Sequence, residues 1–174
     1  MIAGQGTTGL EIAQQAAEAG IARADVIACC GGGGLTSGIA LALEAEAPGL
    51  RARTAEPEGF DDAARSLAAG EITRNAALGG SICDAIVTPQ PGDLTFPILK
   101  RLCGPGLVVS DAEALQAIGH AFNRLKLVAE PGGAVALAAA LFRQDEIDGD
   151  DVIVTISGGN VDSDIFSRAL ATLD

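Results

Sequence analysis

Apolar and small residues recur along the chain with two different spacings, and each spacing predicts a different element. Over residues 8–19 the apolar positions return every three or four residues, which predicts a helix that Gly20 ends. Residues 25–30 and 151–156 are short, continuously apolar runs, which are typical of strands buried on both faces of a sheet. The sequence therefore predicts a helix and then a buried strand in its first 30 residues, and another buried strand close to its end.

The segments between these runs continue the alternation. Strands are predicted at residues 51–58 and 105–109, and helices at residues 35–47, 110–126 and 131–141. Ser110 and Glu113 form the pattern of a capping box at the start of one helix, whereas residues 57–96 carry enough Gly and Pro to predict short helices and loops. This order, with continuously apolar strands, predicts an α/β fold with a parallel twisted sheet flanked by helices.

Charge and composition argue against nucleic-acid and membrane partners. The 174 residues include 11 Lys+Arg against 23 Asp+Glu, a formal charge of −12, with five Phe and no Trp or Tyr. Such a chain is repelled by nucleic-acid phosphates and has few rings to stack on bases, so we expect no nucleic-acid partner. No apolar run reaches the roughly 20 residues of a membrane helix and no secretory signal opens the chain, so we expect a cytoplasmic protein without a membrane partner.

The cysteines do not form a metal or disulfide pattern. Cys29, Cys30, Cys83 and Cys103 contain no C-x-x-C pair, and the single His120 has no second ligand near it in the sequence. We expect free thiols in a reducing compartment.

Four consecutive glycines, Gly31, Gly32, Gly33 and Gly34, join a predicted strand directly to a predicted helix. Without Cβ atoms their amides are able to turn toward an anion, and the N-terminus of the helix adds its dipole. The expected ligand is a phosphate. A tight turn without a ligand is the alternative, although four glycines lose more backbone entropy than a turn requires. No Gly-Lys-Ser/Thr follows, which excludes a Walker A loop.

Two further clusters follow predicted strands. Ser157 stands before two glycines and Asn160, an arrangement that lets a planar ligand approach closely or simply caps the end of a strand. Glu56, Asp61 and Asp62 surround a Pro and a Gly and offer the oxygen ligands that Mg²⁺, Ca²⁺ or Mn²⁺ prefers. From composition alone, a solvated acidic loop is the favoured interpretation of this second cluster.

Eight motifs, taken in order, carry a resemblance to a known family. They lie at residues 2–11, 31–40, 56–62, 81–84, 94–97, 109–113, 130–134 and 157–162. In this order they resemble the threonine dehydratase and serine racemase family, the fold-type II group of pyridoxal-phosphate enzymes. The resemblance implies the large domain of that fold, which is similar to that of the tryptophan synthase β subunit.

The resemblance also assigns roles to residues. It implies that the cofactor is held by Gly31, Gly32, Gly33, Gly34, the amide of Leu35, Glu130, Ser157 and Gly158. Ser157 would hydrogen-bond the pyridine nitrogen, and a neutral hydroxyl there makes the ring a weaker electron sink than a carboxylate would. The resemblance further places a divalent cation, Mg²⁺, Mn²⁺ or Ca²⁺, on Glu56, the Phe60 carbonyl and Asp62. Asp84 matches a loop aspartate of the family, but Ala85 follows it where the family has Gly.

The chain departs from the family in its lysines. The family places its Schiff-base lysine in an upstream Ser-x-Lys-x-Arg segment, and the only lysines here, Lys100 and Lys126, lie in no matching motif. We therefore expect residues 1–174 to form a partial large domain that resembles the C-terminal half of the enzyme, without the small domain, the lysine-bearing segment or a catalytic residue of its own.

These expectations together define the predicted function. The chain is predicted to be part of a threonine or serine dehydratase, which converts a hydroxy amino acid to a 2-oxo acid and ammonia, and to be inactive alone. An amino acid racemase of the same family and a non-catalytic phosphate-ligand binder or complementing half are the alternatives. A nucleotide-binding Rossmann domain is disfavoured, because the acidic residue expected about 20 positions after the glycines is not cleanly present. Glu56 comes closest, but the residues around it fit the cation loop better. An exposed apolar face predicts a homo-oligomer or pairing with an N-terminal half.

Overall fold

Four parallel strands form the centre of the structure, a computed structural model that describes residues 1–173. The strands are β1 (Ala24–Cys29), β2 (Leu50–Pro57), β3 (Leu107–Val109) and β4 (Val152–Val154). They lie in the order β3-β2-β1-β4, so β1 and β2 are central and β4 forms one edge. In the register of the two central strands, Ala24 pairs with Leu50 and Cys29 pairs with Ala55. This arrangement confirms the predicted α/β class.

Helices cover both faces of the sheet. In the described part of the chain they are α1 (Ile2–Glu18), α2 (Gly34–Glu46), α3 (Asp62–Ala69), α4 (Phe96–Leu102), α5 (Asp111–His120), α6 (Pro131–Phe142) and α7 (Ser163–Leu170). The capping box predicted for α5 is present, because the Ser110 hydroxyl accepts from the Glu113 amide and the Glu113 carboxylate accepts from the Ser110 amide. None of these helices is both long enough and apolar enough to cross a membrane.

The core is divided between the two faces by the alternation of side chains along β1. Val26 and Ala28 pack with α1 and α2, whereas Ile27 and Cys29 pack with α5 and α6. Because successive side chains of a strand point to opposite faces, a continuously apolar strand is needed to fill both layers. The predicted burial of β1 on both faces is confirmed.

Helix α1 begins at Ile2, six residues before the predicted start. The glycines in its first half lower helix propensity and hide the pattern, but two glycines at its contact with α2 serve packing instead. A Cβ on Gly9 would lie 2.7 Å from the Ala42 Cβ, and a Cβ on Gly38 would lie 2.6 Å from the Gly6 amide nitrogen. Close contact between α1 and α2 thus depends on residues that an isolated helix would disfavour.

The C-terminal part of the chain differs from the prediction in two respects. Helix α7 was not predicted, and β4 is shorter and more exposed than the buried strand expected over 151–156, since Val152 is 41 % exposed. The reason is that β4 pairs only with β1, so its other edge and part of its surface have no neighbour among the described residues. An apolar run does not distinguish an edge strand from a central one.

A buried ion cluster lies at the amino-terminal end of the sheet. Asp25 accepts from Arg51 Nε at 2.8 Å and from Arg53 Nη1 at 3.0 Å, and the side chains of Asp25 and Arg53 are each 2 % exposed. Arg53 also donates to the Pro105 carbonyl at 2.8 Å. The cluster joins the two central strands at the end of the sheet opposite the glycine loop.

Candidate functional site

The glycine loop connects the carboxyl end of β1 to the first turn of α2. Gly33 has a φ of 86°, in the left-handed region that favours glycine. A Cβ there would also lie 2.9 Å from the Leu99 Cδ1 and 2.9 Å from the Thr95 Oγ1. Backbone conformation and close packing therefore both require glycine at this position.

The loop presents a row of backbone N–H groups that the protein itself does not use. Within the described chain, the amides of Gly32, Gly33, Gly34 and Leu35 have no protein acceptor. The Gly32 carbonyl, in contrast, accepts from the Gly92 amide at 3.2 Å and from the Thr95 hydroxyl at 2.5 Å. Unpaired amides at the N-terminus of a 13-residue helix form a cradle suited to a phosphate, so the loop fits the phosphate of the expected cofactor.

Thr95 also belongs to this site, although its sequence context did not predict a contact with the glycine loop. Its side chain holds the Gly32 carbonyl, and its position within the motif at residues 94–97 was the available signal. Thr95 immediately precedes α4, so this hydrogen bond ties the loop to the start of that helix.

An open cleft of about 400 Å³ lies over the loop, and we call it the glycine-loop cleft. It is lined by Met1, Ile2, Cys29, Gly31, Gly32, Gly33, Gly34, Leu35, Ala85, Ile86, Thr88, Leu94 and Thr95. The predicted phosphate-binding residues therefore all border one space at the carboxyl end of the sheet, where ligands bind in open α/β sheets.

Ser157 lies at the same end of the sheet. Its Oγ is 2.9 Å from the Sγ of Cys29, the last residue of β1, and its amide donates to the Gly133 carbonyl at 3.3 Å. Because β4 is the neighbour of β1, the segment that follows β4 carries Ser157 to the end of β1. Cys29 thus links Ser157 to the glycine-loop cleft.

Glu130 and Gly158 are in direct contact beside this cleft. The Glu130 amide donates to the Gly158 carbonyl at 3.0 Å, and the Glu130 carboxylate accepts from the Asn160 amide at 2.9 Å. A Cβ on Gly158 would overlap the Glu130 carboxylate, so a larger residue there would have to displace that side chain. Glu130 lines a second cleft of about 490 Å³, and Ala85 lines both clefts. Glu130 therefore borders the adjacent space and not the glycine-loop cleft itself.

The predicted cation ligands lie at the carboxyl end of β2. Glu56 is fully buried, and its two oxygens accept from the amides of Ala63 at 2.8 Å and Ala64 at 2.7 Å, in the first turn of α3. Asp62 is 1 % exposed, and its Oδ1 accepts from the Asn75 amide group at 2.5 Å. The interpretation of these two residues as a solvated acidic loop is wrong, because Glu56 is buried against the first turn of α3 and Asp62, the first residue of that helix, is buried against Asn75.

Burial has the largest effect on the pKa values of these two carboxylates, because it disfavours their charged forms. Burial raises the pKa of Glu56 to about 8 and that of Asp62 to about 6, despite hydrogen bonds that lower both. The Asp62 Oδ2 is buried and has no hydrogen-bond partner. No group of three or more His, Cys, Asp or Glu side chains able to hold a metal occurs in the described chain. The cation site on Glu56, Asp62 and the Phe60 carbonyl therefore stays a prediction.

Neither lysine reaches these clefts. The Lys100 ammonium donates to the Gly70 carbonyl at 2.7 Å, and the Lys126 ammonium donates to the Asn123 carbonyl at 2.9 Å. Both contacts are on the surface, and the linings of the two clefts include neither residue.

Comparisons with known proteins agree with this geometry. Residues 1–159 match the protein family described as "Pyridoxal-phosphate dependent enzyme". The chain is 38 % identical over 173 residues to a serine racemase of Dictyostelium discoideum, covering 98 % of this chain and 52 % of that protein. It is 34 % identical over 170 residues to an L-threonine ammonia-lyase of Thermotoga maritima, covering 98 % of this chain and 41 % of that protein.

Solved structures give the same result. A threonine deaminase from T.th. superposes with a TM-score of 0.87 and 42 % identity, over 92 % of this chain and 58 % of that one. Maize serine racemase superposes with a TM-score of 0.85 and 36 % identity, over 99 % of this chain and 52 % of that one. The chain spans about half the length of the curated relatives it matches. On sequence, fold and cleft geometry together, this chain belongs to the family of pyridoxal-phosphate dependent enzymes.

Proposed function

We propose that this chain supplies the phosphate-binding part of an enzyme that uses pyridoxal phosphate to remove the β-hydroxyl of threonine or serine, forming a 2-oxo acid and ammonia. The observation that carries the proposal is the row of unpaired amides from Gly32 to Leu35 at the start of α2. The L-threonine ammonia-lyase and threonine deaminase among its relatives support the reaction class.

The residues of the chain would act in binding and orientation. The loop amides would take the phosphate, and the Ser157 hydroxyl would lie at the ring nitrogen. When bound, pyridoxal phosphate supplies a ring that withdraws electrons from the α-carbon of the amino acid. A neutral hydroxyl does not hold the nitrogen protonated as a carboxylate would, which favours prompt loss of the β-hydroxyl over a long-lived carbanion.

Both lysines lie on the surface and outside the two clefts, which supports a chain that binds the cofactor but does not convert substrate by itself. We expect the 174-residue chain alone to convert neither L-threonine nor L-serine, measured as release of 2-oxo acid. Steady turnover by the pure chain would contradict this expectation.

The racemase alternative has its own support. Serine racemases of Dictyostelium discoideum and maize are 38 % and 36 % identical to this chain, within the range of the lyases it matches. Measuring D-serine beside 2-oxo acid would separate the two activities in any active preparation.

Binding of a cofactor analogue tests the proposal directly. 4′-Deoxypyridoxine 5′-phosphate has the ring and phosphate but no aldehyde, so its binding requires no lysine. We expect calorimetry to detect its binding, and to detect none for pyridoxine, NAD or ATP. A Gly32→Asp change places a negative charge in the cradle, where a Cβ meets no atom within 4 Å. It should weaken binding by about tenfold or more, equivalent to ~1.4 kcal/mol.

The matched control adds the same charge elsewhere. Gln15→Glu lies on the exposed side of α1 and should leave analogue binding unchanged. Equal weakening by both variants would indicate a general charge effect, and tight binding of NAD would favour the nucleotide-binding alternative. Either result would count against the phosphate cradle.

We further propose that a divalent cation binds Glu56, Asp62 and the Phe60 carbonyl. The unpaired Asp62 Oδ2 and the burial of both carboxylates support it, since a cation would neutralise them. A cation that binds only the folded chain raises its melting temperature. We expect Ca²⁺, Mg²⁺ or Mn²⁺ to raise the melting temperature of the wild type.

Two substitutions separate this site from general ionic effects. Asp62→Asn should abolish the rise, because it removes the charge that the cation would neutralise. Asp61→Asn, which alters the neighbouring carboxylate paired with Arg65 at 3.3 Å, should preserve it. An equal rise in all three proteins would rule out this site.

A further inference from the structure

The thiol of Cys29 is the hydrogen-bond partner of the Ser157 hydroxyl among the described side chains. Its Sγ lies 2.9 Å from the Ser157 Oγ, and either atom has the geometry to be the donor. Cys29 is 6 % exposed at the end of β1 and lines the glycine-loop cleft. The two residues are 128 positions apart in the sequence, and the pairing of β1 with β4 brings them together.

The surroundings of Cys29 keep its thiol protonated near neutral pH. Burial raises the pKa of Cys29; the Ser157 hydrogen bond lowers it, and the Glu130 charge at the start of α6 raises it further. The other titratable groups nearby are the buried thiols of Cys30 and Cys83, whose pKa values burial also raises. An S–H donor is therefore available to the Ser157 oxygen, and no cation is among the groups that shift the Cys29 pKa.

We propose that Cys29 is a positioning residue, whose thiol donates to the Ser157 Oγ and so directs the hydroxyl hydrogen toward the ring nitrogen of bound pyridoxal phosphate. This inference rests on the proposed function. A hydroxyl that already accepts a hydrogen bond is a stronger donor, and donation to the ring nitrogen stabilises its unprotonated form. Cys29 would thus lower the pKa of the ring nitrogen.

The opposite direction of the same contact has the opposite consequence. If the Ser157 hydroxyl donated to the thiol, only an oxygen lone pair would face the ring nitrogen, which favours its protonated form. The sign of the change in the nitrogen pKa after removal of the thiol therefore decides between the two directions.

The test is an absorbance titration of the bound analogue 4′-deoxypyridoxine 5′-phosphate, which reports the protonation of the ring nitrogen without any turnover. Cys29→Ala should raise the nitrogen pKa by about 0.5 to 1 pH unit, the size expected for one hydrogen bond. Cys29→Ser, which retains a donor, should keep the wild-type value. Cys103→Ala, which removes a thiol outside the lining of the cleft, is the matched control and should also keep it.

A double substitution makes the test specific for the pair. In the Ser157→Ala background, Cys29→Ala should cause no further change, because the residue through which the thiol acts is gone. An unchanged or lowered nitrogen pKa in Cys29→Ala, or an equal rise in Cys29→Ser, would overturn the inference while the binding proposal stands. Absence of analogue binding to the wild type would overturn the binding proposal and the inference with it.

Discussion

At the scale of single residues, Asp25 is the side chain on which the amino-terminal end of the sheet depends. It is the carboxylate that contacts the buried guanidinium of Arg53, and it also accepts from Arg51 and from the Asp148 amide. Although burial raises the pKa of Asp25, the hydrogen bonds from Arg51 and Arg53 lower it below its ordinary value of 3.8. The folded chain therefore binds a proton here less readily than the unfolded chain.

This balance predicts how Asp25→Asn changes stability. Removing one partner of a buried pair leaves Arg53 without its counter-charge and should lower the free energy of unfolding by about 3–5 kcal/mol near neutral pH. Because the folded pKa is lowered, the stabilisation is present above the ordinary pKa and is lost as the pH falls through the folded value. Urea unfolding near neutral pH and at about pH 3 should therefore show a smaller difference between the two proteins at the acidic pH.

The control is Glu44→Gln, which breaks the exposed pair between Glu44 and Arg101. It should change stability little at either pH, since solvent screens exposed pairs. A difference between wild type and Asp25→Asn that stayed constant with pH would contradict the role assigned to the Asp25 charge.

At the scale of elements, the packing of α1 on α2 depends on glycines that do not favour helices. Gly38→Ala would place a Cβ 2.6 Å from the Gly6 amide nitrogen and 2.6 Å from the Ile2 carbonyl oxygen. Backbone atoms at that distance must shift, so we expect a loss of about 1–3 kcal/mol, measured by urea unfolding. The same change at Gly4, where a Cβ meets nothing, should instead stabilise α1 by about 0.5–1 kcal/mol. Equal effects at the two positions would argue against a packing role for Gly38.

At the scale of the whole molecule, the edge of β4 that pairs with no other described strand is a surface through which copies of the chain could associate. Val152 on this strand is 41 % exposed, and unpaired strand edges favour pairing with another chain. We expect sedimentation velocity to show association that increases with concentration. Val152→Lys, which places a charge on the edge, should reduce it, whereas Leu78→Lys, at another exposed apolar residue, should not. A monomer at all concentrations would contradict this prediction.

Sequence patterns predicted the parts of the molecule that depend on local order. The central strands, helices α2 and α6, the capping box of α5 and the glycine loop follow from short-range spacing, and the structure has each of them. The exposure of β4 was beyond such reasoning, because an edge strand and a central strand have the same apolar pattern. The start of α1 was missed because its glycines are explained only by the helix packed against it.

The sequence by itself determined the fold class, the family and the position of the glycine loop between β1 and α2, because residue type and spacing carry those properties. Only the tertiary structure decided that Glu56 and Asp62 are buried, that Thr95 holds the Gly32 carbonyl and that Cys29 meets Ser157. Each of these depends on segments brought together by strand pairing and helix packing. The environment of a side chain, and with it its charge and hydrogen bonds, is set by neighbours that are distant in the chain.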